Sequence, residues 1–107
     1  MFDYMRIVEI QGTVKIFHWT NPHAWLHVMA PDPSGKMTEY KMEFGGLSNL
    51  MNAGWSPKTV LPGDKVTVTM FPAKSGVAAG HFRSVKLPSG KIMGERGADI
   101  PNGQREP

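Results

Sequence analysis

A chain of period-two apolar runs, a glycine inside an unusually long first run and one stretch of helical spacing after the third run predict an all-β fold. The expected form is a small OB-fold-like antiparallel barrel of five to six strands with one short helix after the third strand. Twelve glycines and nine prolines spread through 107 residues fit short strands and turns better than a helical bundle. With 40% hydrophobic residues, this length supports one core and not two. Residues 1–93 are therefore expected to form a single domain. Residues 94–107, polar and punctuated by Gly, Pro and charge, are expected to form a flexible tail. A small antiparallel sandwich is the alternative, because element order does not by itself prove closure.

From Arg6 to Trp19, Val8, Ile10, Val14, Ile16 and His18 share one parity, and Glu9, Gln11, Thr13, Lys15, Phe17 and Trp19 the other. This is the pattern of a half-buried strand. Gly12 inside it marks a bulge or a sharp bend, by which one strand serves two edges of a barrel. Asn21-Pro22 then breaks the ladder, since proline has no amide donor. Ala24, Leu26 and Val28 resume one face, with Trp25, His27 and Met29 on the other. Pro31-Asp32-Pro33-Ser34-Gly35 is a turn that leads to a third strand, with Thr38, Tyr40, Met42 and Phe44 inward and Glu39, Lys41 and Glu43 outward.

Between Gly45 and Trp55 the spacing of Leu47, Leu50 and Met51 predicts a helix of two or three turns, started at Gly46 or Ser48 and ended at Gly54. Leu61-Pro62-Gly63-Asp64 delivers a fourth strand with Val66, Val68 and Met70 inward, stopped by Pro72. Ala73 to Gly80 reads as a loop. His81 to Leu87 is a fifth strand in which Val85 and Leu87 set the core parity, so that His81 and Arg83 share it. Ile92-Met93 adds a short pairing after the Pro88-Ser89-Gly90-Lys91 turn.

The formal charge of +3 comes from cations interspersed with acids. Lys58, Lys65, Lys74, Arg83, Lys86 and Lys91 bias the second half toward anions, but without the clustering of a nucleic-acid binder, so nucleic acid is disfavoured. Absence of cysteine excludes disulfides, thiolate nucleophiles and cysteine zinc sites. No apolar run approaches the roughly 20 residues of a membrane-spanning helix. No leader pattern is present at Met1-Phe2-Asp3-Tyr4, so an exported protein's leader would precede this chain. No serine lies in a Gly-x-Ser-x-Gly context, no glycine-rich phosphate loop precedes the helix, and no carboxylate pair stands on it. No catalytic residue is assigned, and a non-catalytic protein is expected, with an enzyme of unknown type as the third reading after a binding domain and an interaction module.

Three of the four histidines fall within or beside the segment Trp19-Thr20-Asn21-Pro22-His23-Ala24-Trp25-Leu26-His27. By strand parity, His18, His81 and Arg83 converge at one end of the barrel, with Asn21 and His23 overhanging it from the turn. These five are the candidate ligand-binding residues for a small molecule. His18, His23 and His81 are the candidate ligands for a metal ion, copper or zinc, because neutral imidazoles suit those ions while Arg83 suits an anion. The bland alternative is that His23 locks the turn and Arg83 pairs with a carboxylate. His23 and His27 lie about 13 Å apart along a strand and do not share an ion. Phe17, Trp19, Trp25 and His27 form a second candidate surface, an outward aromatic strip for a partner protein, a second copy of the chain, or a sugar or oligonucleotide polymer. The seven methionines beyond Met1 are read mainly as core filling, with Met42, Met51 and Met70 on core parities.

Gly12-Thr13-Val14, the run Trp19 to Trp25, Gly54-Trp55-Ser56, Pro62 to Val68 and Arg83-Ser84-Val85 together resemble the domain of unknown function 6152 family, small exported bacterial proteins. The likeness spans about Phe2 to Met93, and the W-T-N-P-H segment is its most specific part. It implies a periplasmic or secreted location and brings no activity with it. Many members carry a His-His-Ser-Phe-like stretch before the position of Phe2-Asp3, and this chain lacks it. That departure weakens any metal site that relies on amino-terminal histidines.

Overall fold

The computed structural model describes residues 1–95 and 97–98. Its elements are β1 (Val8–His18), β2 (His23–Pro31), β3 (Met37–Gly46), α1 (Leu47–Asn52), β4 (Lys65–Pro72), β5 (Ala79–Lys86), β6 (Ile92–Gly94) and β7 (Gly97–Ala98). β1 pairs antiparallel with β4 through Val8–Thr13 and with β2 through Thr13–His18, so one strand serves two edges. β2 pairs with β3 and β4 with β5, and a parallel seam between Lys41–Glu43 and Ala79–His81 closes the ring. The result is the expected OB-fold-like closed five-stranded barrel, with β6 outside the ring on β5.

The bend in β1 requires Gly12. A Cβ there would stand 2.2 Å from the Met29 carbonyl oxygen and under 3 Å from Ala30 and Val28, so no other residue fits the backbone's close approach to β2. Ala24, Leu26, Val28 and Ala30 of β2, Tyr40, Met42 and Phe44 of β3, and Val66, Val68 and Met70 of β4 fill the interior on the parities their alternation predicts. α1 has only six residues and buries Leu50 alone, which leaves Met51 56% exposed instead of in the core. Gly54, at φ +94°, takes the left-handed turn after the helix. Asp32 seals the β2–β3 turn by accepting from Ser34 N, Ser34 Oγ and Lys36 N, bonds that hold its carboxyl below its ordinary pKa, the Ser34 hydroxyl most strongly.

Two single-residue bulges reverse the parity expected for the ends of β1 and β5. In β1 the register steps from Val14↔Val28 to Ile16↔His27, and Lys15 is the extra residue. Beyond it Phe17, opposite Leu26, turns toward the core, while Ile16 and His18 turn outward. In β5 the register steps from Met70↔Phe82 to Thr69↔Ser84, and Arg83 is the extra residue. Phe82 is therefore a core residue alongside Val85, and His81 faces out. A bulge shifts the side-chain period by one residue, which moves everything beyond it to the opposite face.

The inward turn of Phe17 and Phe82 builds an aromatic nucleus that the alternation does not predict. Phe44 and Phe82 stack at 4.1 Å, Trp55 stands edge-on to both at 5.3 and 5.5 Å, and Phe17 packs on Phe44 at 5.6 Å with Trp19 beyond it. Trp55 also donates its indole N–H to the Gly94 carbonyl at 2.9 Å. Gly94 is buried and Glu95 partly so. Of the tail expected over 94–107, residue 96 and residues 99–107 lie outside the described residues.

Candidate functional site in the cleft beside the parallel seam

The parallel seam sets Glu43 of β3 beside His81 of β5 on the outer face of the barrel. From β2, His23 Nδ1 approaches Glu43 Oε2 to 2.8 Å. This nitrogen is shut off from solvent and makes no hydrogen bond, so the short contact lies off the hydrogen-bonding direction. On the other side, Glu95 takes a bond from His81 Nε2 at 3.1 Å through Oε1, and from the backbone N–H of Gly45 through Oε2. Two imidazoles and two carboxylates thus alternate across three strands and the segment after β6: His23, Glu43, His81, Glu95.

The hydrogen bond that His81 donates to Glu95 raises the His81 pKa above its ordinary 6.5, against a smaller opposing effect of burial and with help from the charges of Glu95 and Glu43. Phe2 and Tyr4 lay their rings 5.8 and 6.0 Å from His81. That amino-terminal segment is held along β4 by Asp3 N to Pro72 O and Lys74 N to Met1 O. Beside the His81–Glu95 pair a cleft of about 560 Å³ opens, lined by Gly45, Asn49, Asn52, Ala53, His81 and Glu95. Its two carboxamides come from exposed residues of α1, and His81 and Glu95 bring an imidazole hydrogen-bonded to a carboxylate.

The five candidate ligand residues separate. His23 and His81 are brought together through Glu43. Asn21 is exposed in the turn, which has a cis Asn21-Pro22 bond and is tied by Thr20 Oγ1 donating to the His23 carbonyl at 2.9 Å. His18 stands apart, turned outward by the bulge and packed at 4.9 Å on His27. Arg83 lies on the outer face and reaches Thr69 Oγ1 at 3.4 Å, with no carboxylate partner among the described residues. His18, His23 and His81 do not meet, and among the described residues no group of three or more His, Asp or Glu is placed to hold a metal ion. The aromatic strip divides too: Phe17 and Trp19 pack against the core, and Trp25 and His27 remain on the outer face.

Sequence reasoning missed Glu43, Glu95, Asn49 and Asn52. Glu43 was legible as an outward residue of β3, and Asn49 and Asn52 as the polar face of the helix. Glu95 fell in the expected tail. A second depression, of about 530 Å³, runs over the outer face of β1 and β4 between Lys65 and Lys86, both exposed.

A family model described as a family of unknown function (DUF6152) matches residues 1–83. The chain belongs to that family. The match takes in the bent strand, the Asn-Pro turn, and His23, Glu43 and His81. No curated protein and no solved structure matches the chain. DUF6152 membership therefore brings no chemistry with it. No helix among the described residues is long and apolar enough to cross a membrane.

Proposed function

We propose that this DUF6152 protein is an exported, non-enzymatic binding domain that takes a small polar ligand in the cleft between α1 and the β3–β5 seam. The observation that carries the reading is the pairing of His81 with Glu95 at the floor of a cleft whose wall offers the carboxamides of Asn49 and Asn52. A concave site with a few convergent polar groups and a perturbed imidazole is the usual form of a small-ligand site. Because His81 and Glu95 already bond one another and the remaining polar groups are carboxamides, the cleft favours a neutral ligand bearing hydroxyl or amide groups over a strongly charged one. Export follows the character of the exported proteins the chain resembles.

The test is a titration of the ¹⁵N-labelled protein with neutral monosaccharides, small amides and small carboxylates, followed by amide shifts. Saturable shifts at Gly45, Asn49, Asn52 and His81 with a sugar or amide, lost in Asn52→Leu, support the reading. Saturable shifts elsewhere, or none with any member of the panel, contradict it.

A further inference from the structure

The outer face of β1 and β2 carries an imidazole pair that the cleft does not use. The bulge at Lys15 turns His18 outward onto the diagonal from His27, with ring centroids 4.9 Å apart and planes at 70°. His27 Nδ1 lies 2.7 Å from Glu39 Oε2, and Lys15 holds the other oxygen of that carboxylate at 3.0 Å. Lys15 and His27 thus clasp the two oxygens of one carboxylate. An ionised carboxylate only accepts, so Nδ1 of His27 carries the proton and donates it. The lone pair of the neutral ring is then on Nε2, directed away from Glu39. This tautomer, fixed by a carboxylate behind the ring, is the one in which histidine binds metals.

The spacing fits a shared ion. A metal bonded at about 2.0–2.1 Å to one nitrogen of each ring, at a roughly tetrahedral angle, holds the ring centroids about 5 Å apart. His18 makes no hydrogen bond among the described residues, so none need break for its ring to turn toward the ion. The His27 side chain is 16% exposed, and its edge reaches solvent. We propose that His18 and His27 form a surface site for an imidazole-seeking divalent ion, copper(II) or zinc, with water completing the coordination. Glu39 is the positioning residue that orients His27. The site is distinct from the ligand set His18, His23 and His81 expected from parity, and it does not depend on the cleft.

Titration of the full chain with copper(II) sulfate and with zinc chloride by calorimetry, together with electron paramagnetic resonance of the copper-loaded protein, tests this. The expected results are one saturable equivalent of ion and a copper spectrum split by two nitrogens. Affinity should fall at least tenfold in His18→Gln and in His27→Gln and about tenfold in Glu39→Gln, with His23→Gln and His81→Gln unchanged. An amide spectrum retaining native dispersion confirms that each variant is folded. Should a variant unfold, broadening of the His18 and His27 ring resonances by substoichiometric copper in the unmodified protein replaces it. No saturable binding of either ion, binding unaltered in a folded His18→Gln or His27→Gln, or copper broadening centred on other residues overturns the proposal.

Discussion

At the scale of single residues, the raised pKa of His81 links the cleft to pH. Glu95 stabilises the protonated ring first of all by its hydrogen bond, so the folded protein holds this proton more tightly than the unfolded chain does. The stability gained is complete below the ordinary value of 6.5 and is lost as pH rises through the raised value. In a histidine ring-proton titration, the His81 midpoint is expected above 6.5 in the wild type and lower in Glu95→Gln. The stability difference between the two proteins is expected to be full near about pH 6 and to shrink at higher pH. An unchanged midpoint in Glu95→Gln would show that the bond does not hold the proton. Only part of this residue-level arrangement was legible in the sequence. His23 and His81 stood out by type, but their carboxylate partners did not, because Glu43 reads as an ordinary outward strand residue and Glu95 as tail. Neighbours brought together across a parallel seam have no sequence spacing to reveal them.

Among the elements, Gly12 and the two bulges decide which side chains reach which surface. Alternation alone correctly orients β2 and β4, which carry no extra residue, and β3 through Phe44, where the extra residue between Glu43 and Gly46 falls at the strand's end. It misorients the ends of β1 and β5, because Ile16 and His18 continue the apolar rhythm of Val14, and Val85 and Leu87 extend backward onto His81. One extra residue leaves no hydrophobic signature, yet it exchanges the faces of Phe17 and His18, and of Phe82 and His81. Gly12, in contrast, announces the bend plainly. Gly12→Ala forces a methyl into the Met29 carbonyl, which as backbone cannot swing aside, and is expected to cost about 3 kcal/mol in urea unfolding. A cost near zero would mean that β1 does not approach β2 as described. Trp55→Phe keeps the ring in the nucleus but removes the donor to Gly94, for a loss of about 1 kcal/mol. Faster amide hydrogen exchange confined to β6 and its neighbours on β5 is the expected sign.

For the whole molecule, closure of the barrel and burial of the aromatic nucleus are one event. Phe44 and Phe82 come from the two strands joined by the parallel seam, so the stack that fills the interior also brings Glu43 beside His81. Phe44→Ala is expected to destabilise the fold by about 3–5 kcal/mol, read from the urea midpoint. The architecture was legible in the sequence because its evidence is spread over many residues: five alternating runs, a bent first strand and a helix after the third. The site was not, because it depends on where closure joins distant segments. The same closure sets Gly45, α1 and Glu95 around one cleft, and ligand binding there is the central claim. Its most direct measurement is the amide-shift titration with neutral sugars and amides, run in parallel on the wild type and Asn52→Leu. Saturable shifts confined to Gly45, Asn49, Asn52 and His81 in the wild type, and absent from the variant, are the predicted result; a wild-type cleft whose amides do not respond to any member of the panel would contradict it.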